Sequence, residues 1–377
     1  MQTGIAIVGC GFVADYYLSS LRVHPELRLL GAFDRDEQRA AQFAAYHHVR
    51  RYNSLAELLN DGDVKIVVTL TSPASHFEVS SAAMRAGKHV YSEKPLGVSL
   101  PEAQELVSIA RDANVQLSGA PCCVLGEAAQ TMWRALRENA VGAVRMAHAE
   151  IEDGLRHRMP YEKWVSASGA PWPIREEREL GCIRAHAGYA VSWLAGMFGP
   201  VRQVTAFAAR VIDSAAAGCN GDPRGPDVGV ACLSFDGGVV ARLTCSIVAP
   251  RDRSLSVFGD RGILQNRDCS DDRSAVTLRN YFTLRRRLFT GFRRRRKLLR
   301  SGIGRVPPQG AQRRDFARGI ADLADAIAEN RHPRLSGGFC LHVTETVLAI
   351  HDAATNPGAR PIASTFEPVT PMPWAVV

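Results

Sequence analysis

A chain of 377 residues is longer than a typical single domain, so two domains are expected. At 46% hydrophobic and 22% charged it has a globular composition, and no apolar run is long enough to span a bilayer. The net charge of +8 is concentrated: residues 283–300 hold Arg285, Arg286, Arg287, Arg293, Arg294, Arg295, Arg296, Lys297 and Arg300 with no acid among them. The rest of the chain is close to neutral, which excludes a uniformly basic nucleic-acid binder.

Gln2 to Val8 enter a strand pattern directly, without a basic or apolar leader, which predicts no signal peptide. Nine cysteines lack CxxC spacing and only Cys122 and Cys123 are adjacent. That usage points to reduced thiols in the cytoplasm and away from a disulfide framework or a zinc site.

Ile5 to Val8 form a short apolar, β-branched run of the kind found in buried parallel strands. Gly9-Cys10-Gly11-Phe12-Val13-Ala14 follows, and a helix runs on to about Val23. In this GxGxxA pattern the first glycine permits a tight turn and the second lets the backbone approach a pyrophosphate. The small third residue lets helix and strand pack closely, and the helix N-terminus offers free N–H groups to phosphates. A second strand, Arg28 to Phe33, ends at Asp34, at the distance expected for an acid that binds ribose hydroxyls. Asp34 favours NAD, because a carboxylate repels a 2′-phosphate, while Arg35 beside it would suit NADP.

The alternation continues with helices at about 37–46 and 54–59 and a third strand at Lys65 to Leu70. Thr71-Ser72-Pro73 turns the chain, His76 starts a helix that ends at Gly87, and Lys88 to Ser92 make a fourth strand tipped by Glu93-Lys94-Pro95. A helix opening at Pro101-Glu102 and a strand at Val115 to Ser118 complete the first half. Ligands of open α/β sheets bind outside the carboxyl ends of the strands, where Gly9, Asp34, Thr71 and Lys94 all lie.

The order GCGFVA, Asp34, TSPASH and AGKHVYSEKPL resembles the Gfo/Idh/MocA family, named for glucose–fructose oxidoreductase, inositol dehydrogenase and rhizopine-catabolism oxidoreductases. The stretch from Ala82 to Leu96 is its most specific part. The resemblance implies an N-terminal Rossmann domain, a doubly wound parallel sheet over residues 1–121. A C-terminal α+β domain with a large, mostly antiparallel open sheet follows over residues 122–377, with a basic insert at about 283–306. It implies hydride transfer between a nicotinamide (NAD, or alternatively NADP) and a hydroxyl-bearing carbon of a sugar, cyclitol or related compound. Lys94 would bond the reacting hydroxyl and help move its proton. Glu93 would hold the lysine or line the ribose pocket. Gly9, Gly11, Phe12, Val13, Asp34, Arg35, Thr71, Ser72, Pro73, His76, Glu93 and Lys94 would surround the cofactor.

In the second half a helix is expected at Glu127 to Asn139 and a strand from Val144 to Ile151. Pro160 to Arg178, with Tyr161, Trp164 and Trp172, reads as a long loop whose aromatic side chains either stack on a sugar or simply pack. Glu179 to Tyr189 leads into a helix ending near Gly199. The resemblance places the family's Asp-x-x-x-His here, but this chain has Ala185 and Tyr189 in those positions. A phenol donates or relays a proton, and His186, three residues before Tyr189, can share its helical face and assist. Strands follow at 201–211, 228–235, 239–248, 254–258 and 262–265, with Asp236-Gly237-Gly238 as a hairpin turn and 215–226 as a loop. The basic segment reads as a solvated loop; among functional readings, a contact for an anionic substrate group such as a phosphate or nucleotide diphosphate is preferred to acidic lipid or to nucleic acid, for which its aromatics are too few. Helices at 313–330 and 340–354 close the chain. A broad sheet with one open face suits a homodimer or homotetramer. The rival to an enzyme is a non-catalytic NAD(P)-binding regulator, which loss of the carboxylate at 185 would favour.

Overall fold

The computed structural model describes residues 2–213, 225–304, 306 and 313–376. The first sheet is built from β1 (Thr3–Val8), β2 (Leu27–Phe33), β3 (Ile66–Thr69), β4 (His89–Ser92) and β5 (Leu117–Gly119). All five are parallel, in the order β2-β1-β3-β4-β5. Helices α1 (Ala14–Leu21), α2 (Glu37–His47), α3 (Leu55–Asn60), α4 (His76–Arg85) and α5 (Leu100–Asp112) make the connections. β1 is buried from Gly4 onward and β3 is buried throughout, as strands covered on both faces must be. Local chemistry sets the helix starts: Asp36, Ser54 and Ser99 each accept a hydrogen bond from a first-turn N–H. The strand order reverses direction between β1 and β3, so the crevice at their carboxyl ends is where a ligand would sit.

The second sheet has ten strands. After α6 (Glu127–Arg137) come β6 (Val144–Glu152), α7 (Ile174–Cys182) and α8 (Gly188–Phe198). Next are β7 (Val201–Ala209), β8 (Val228–Phe235), β9 (Val240–Ser246), β10 (Leu255–Gly259) and β11 (Gly262–Asn266). β12 (Val276–Leu284), β13 (Arg287–Thr290) and β14 (Arg294–Arg295) follow, then α9 (Arg318–Ala328), α10 (Gly337–His351) and β15 (Gly358–Pro361). The order is β13-β12-β11-β10-β6-β9-β8-β7-β15, with β14 on β12. Pairing is antiparallel except between β6 and β9. In-register partners Met146 with Val240 and Phe207 with Val230 leave exposed apolar side chains on one face. The chain then returns to the first sheet: Phe316, Ile320 and Leu323 pack with Ile5, Ile7, Tyr17, Val68 and Tyr91.

Two segments differ from the sequence-based expectation. The loop expected at 160–178 ends in a helix, α7, with Glu176 and Glu177 in its first turn, where acids complement the helix dipole. The basic segment, expected as a loop, is a β-hairpin: Arg285 and Arg286 occupy left-handed conformations (φ 48° and 69°), the geometry of a two-residue hairpin turn. Most of the expected 215–226 loop, and residues 305 and 307–312 beside the basic hairpin, lie outside the described residues. Among the described residues no helix is long and apolar enough to cross a membrane.

Candidate active site

A cavity of about 370 Å³ lies between the carboxyl ends of the first sheet and the segment joining β6 to α8. Gly11, Phe12 and Val13 line it from the glycine turn, Thr71, Ser72, Pro73 and His76 from the end of β3, and Glu93 and Lys94 from the end of β4. The turn requires glycine at position 9. Gly9 has φ +100°, and a Cβ there would lie 2.6 Å from the backbone of Leu70 and Thr71. At Gly11 a Cβ would meet nothing within 4 Å, so that backbone is bare toward open space at the start of α1. Asp34 does not line this cavity. Its carboxylate accepts from Cys10 N–H at 2.7 Å and Asp36 N–H at 3.0 Å, which leaves lone pairs on both oxygens for a diol. Arg35 is exposed, while Arg39, missed from sequence, donates to the Cys10 carbonyl at 2.8 Å. The bare glycine turn, the helix start and the fixed acid together fit a dinucleotide.

The tip of β4 is held from several sides. Glu93 is buried, accepts from the Tyr17 hydroxyl at 2.8 Å and from the Lys94 backbone N–H at 3.0 Å, and so fixes the lysine through its main chain. The ring nitrogens of His76 lie 2.7 Å from the Pro95 carbonyl and 3.0 Å from that of Thr71. His76 therefore joins the two strand-end turns, and burial lowers its pKa. Among the described residues no hydrogen bond engages Lys94 Nζ, which lies 5.9 Å from the Tyr189 ring centroid.

Tyr189 opens α8, directly after a π-helical turn at Ile183–Ala187. Such turns re-aim side chains and recur at functional sites. The Tyr189 ring is flanked by the guanidinium groups of Arg314, at 4.3 Å, and Arg253, at 5.4 Å. Arg314 is buried, donates to the Ser270 carbonyl at 3.1 Å, and keeps one buried nitrogen without a partner.

His186 lines the same cavity, but its Nε2 faces carboxylates: Glu177 at 3.2 Å and Asp153 at 3.5 Å, neither aligned as a regular hydrogen bond. Burial lowers the His186 pKa, so the ring is neutral near pH 7. Burial raises the Glu177 carboxyl, but contact with His186 and the Arg156 guanidinium outweigh it and bring its pKa down to about 2. With His186 neutral, Arg156 is the lasting counter-charge. Asp153 is likewise pushed up by burial and brought well below the carboxylate range by His186, Arg253 and Arg156. Arg156 sits 5.6–5.7 Å from the rings of Tyr161, Trp164 and Trp172, so these aromatics chiefly pack around a cation. Trp172 also lines the cavity, edge-on to Phe12 at 4.8 Å. Ser168 donates to Asp15 of α1 at 2.9 Å and accepts from Arg39 at 2.7 Å, fastening this segment over the glycine turn.

Lys94, Tyr189 and His186, far apart in sequence, thus meet at one cavity with most of the expected cofactor residues; Gly9, Asp34 and Arg35 stand behind or outside its wall. Asp153, Arg156, Glu177, Arg253 and Arg314 were not singled out from sequence. The acids carried a faint signal, one just past the end of a strand and one in a first helical turn. The arginines carried none.

Residues 3–120 match the family model for the Gfo/Idh/MocA oxidoreductase family, NAD-binding Rossmann fold, and residues 129–265 match that for the Gfo/Idh/MocA C-terminal domain. Trans-1,2-dihydrobenzene-1,2-diol dehydrogenase of Oryctolagus cuniculus is 28% identical over 262 residues, covering 69% of this chain and 74% of that one. An NAD-binding oxidoreductase from Klebsiella pneumoniae shares the fold with a TM-score of 0.78 at 19% identity, covering 97% of this chain and all of the other. An aldose–aldose oxidoreductase from Caulobacter crescentus, complexed with glycerol, does so with a TM-score of 0.73 at 18% identity, covering 96% and 100%. With residues 3–120 and 129–265 matched by its two domain models, the chain belongs to the Gfo/Idh/MocA family of NAD(P)-dependent oxidoreductases.

Proposed function

We propose that the protein interconverts a carbinol and a carbonyl on a sugar, cyclitol or related diol. The observation that carries this reading is the approach of Lys94 to Tyr189 at the mouth of the cavity lined by the glycine turn. When bound, a nicotinamide supplies the hydride acceptor or donor. Lys94 Nζ bonds the reacting hydroxyl and exchanges its proton, and the Tyr189 phenol shares that hydrogen-bond path. The neutral His186 ring, backed by Glu177 and Asp153, assists from the cavity wall. Asp34 supports NAD as the preferred dinucleotide. The match to a dihydrodiol dehydrogenase supports vicinal hydroxyls on the substrate.

The rival reading, a regulator that binds cofactor without turnover, rested on Ala185. Carboxylates at Glu177 and Asp153 beside His186 oppose it. Residues 1–121 serve in this reading as the cofactor unit and residues 122–377 as the substrate and oligomerisation unit. The apolar open face at Met146, Phe207, Val230 and Val240 supports a homo-oligomer. Among the described residues, seven cysteines are buried and free, which supports a reducing compartment, the cytoplasm.

The test is titration with NADH and NADPH, followed by energy transfer from tryptophan, and then a screen of diols and sugars. Binding that weakens in Asp34→Ala, persists in Lys94→Ala and supports turnover only in the wild type is expected. Binding of neither dinucleotide would refute the proposal; binding without turnover of any hydroxyl compound would leave the regulator.

A further inference from the structure

The hairpin of β12 and β13 stands at the edge of the large sheet, where, among the described residues, β13 pairs only with β12. Every residue from Phe282 to Thr290 is exposed. Phe282 pairs directly with Phe289, their rings stacked at 5.6 Å, and Leu284 lies two residues along the same face. Leu288 projects from the opposite face, and Phe292, just beyond, is 93% exposed. Large apolar side chains are seldom left this open in a cluster unless something covers them.

Around them lie nine cations, from Arg285 to Arg300. Arg296 pairs with Glu138 and Arg300 with Glu127. The other seven, Arg285, Arg286, Arg287, Arg293, Arg294, Arg295 and Lys297, have no carboxylate within ion-pair distance among the described residues. The chain carries no acid from Arg273 to Arg314. None of these residues lines the active-site cavity.

Three kinds of partner would meet this surface differently. A second copy docking hairpin to hairpin would bring two dense positive clusters together, which like-charge repulsion opposes. Nucleic acid would satisfy the arginines but leave Phe282, Leu284 and Phe289 in water, since phosphodiester backbones offer no apolar surface. An anionic lipid surface meets both needs: headgroup phosphates and carboxylates pair with the guanidinium groups, and the phenylalanine and leucine side chains enter the acyl boundary. We infer that this hairpin docks the protein reversibly on an anionic membrane surface, with Arg285, Arg286 and Arg287 at the headgroups and Phe282, Leu284, Phe289 and Phe292 below them. The inference is independent of the reaction proposed above, since it uses none of the site's residues.

The test is co-sedimentation of the full chain with vesicles of phosphatidylcholine alone and of phosphatidylcholine mixed with phosphatidylserine. Binding to the mixed vesicles only, weakening with salt, is expected. Replacing Arg285, Arg286 and Arg287 together by Gln should weaken it on the order of 100-fold, the loss expected for three basic residues near an anionic surface. Phe292→Ser keeps the charge, removes a side chain with almost no protein contact, and should weaken binding about 10-fold. It decides the matter if the triple variant melts below the wild type. Absence of binding to mixed vesicles, or binding unchanged in Phe292→Ser, overturns the inference. Salt-steep capture of a short RNA or DNA duplex without vesicle binding would assign the surface to nucleic acid. A concentration-dependent dimer lost in Phe292→Ser, without vesicle binding, would assign it to a second copy.

Discussion

Asp153 gives the sharpest test of how the site is held together. It is 6% exposed and sits just past the end of β6. One oxygen accepts from both Nε and Nη2 of Arg253; the other accepts from Arg156 and faces His186 at 3.5 Å. Arg253 is 6% exposed and, among the described residues, forms an ion pair with no other carboxylate. Asp153→Asn keeps the shape and one acceptor but strands the buried Arg253 guanidinium beside Tyr189, on whose other side Arg314 has no ion-pair partner among the described residues. Breaking a buried pair from one side costs about 3–5 kcal/mol, a large share of a typical total of about 5–15 kcal/mol. Urea unfolding followed by tryptophan fluorescence would show the loss as a lower midpoint at unchanged slope. Adding Arg253→Met to Asp153→Asn removes the stranded charge, so the double variant should regain at least about 1 kcal/mol over the single one. A single variant within about 1 kcal/mol of wild type, or a double variant no better than the single, would refute the reasoning.

Three further outcomes follow from the same geometry. Lys94→Ala should lower kcat by about 10²–10⁴-fold with NADH affinity nearly unchanged, and Tyr189→Phe should fall in the same direction; steady-state kinetics on whichever diol the screen returns, beside fluorescence titration, separates the two quantities. Gly9→Ala would force a Cβ to within 2.6 Å of the Leu70–Thr71 backbone at φ +100°, so it should cost about 1–3 kcal/mol of stability and abolish detectable NADH binding. Glu177 has a folded pKa of about 2 against an ordinary 4.5. A depressed carboxyl stabilises above its unfolded pKa and loses that contribution as pH falls toward the folded one. Stability should therefore drop by about 3 kcal/mol between about pH 4.5 and about pH 2, and Glu177→Gln should flatten that part of the profile in urea melts.

The first sheet was legible because its signals are local. A buried parallel strand is an unbroken apolar run, the glycine turn is one hexapeptide, and Glu93-Lys94-Pro95 caps a strand whose burial its own sequence announces. The basic hairpin was harder to see. Its apolar alternation is present, at Leu278, Phe282 and Leu284, but its turn is Arg285-Arg286 rather than the asparagine–glycine or glycine–glycine chemistry that marks such turns. Two arginines in left-handed conformations gave no warning. α7 was hidden for a related reason: Pro171, Trp172 and Pro173 just before it read as loop, although proline ahead of a first turn rich in glutamate is also how a helix begins.

The deeper difference concerns Ala185. Read along the chain, it is a lost carboxylate, and the loss argued against turnover. In space, the same cavity receives Glu177 from α7, and Asp153 stands behind His186 at the end of β6. The two acids keep their charge because Arg156 and Arg253 answer it, and Arg253 stays buried because Asp153 answers it. Such a balance is a property of the folded cluster: each member would be penalised alone, and no spacing rule along the chain relates residues 153, 156, 177, 186 and 253. An aspartate at 185 would add a further carboxylate to a cavity that Glu93, Glu176 and Glu177 already line, where Arg156 and Arg253 are already engaged by Glu177 and Asp153. The carboxylates beside His186 come instead from two other elements, Asp153 just past β6 and Glu177 on α7.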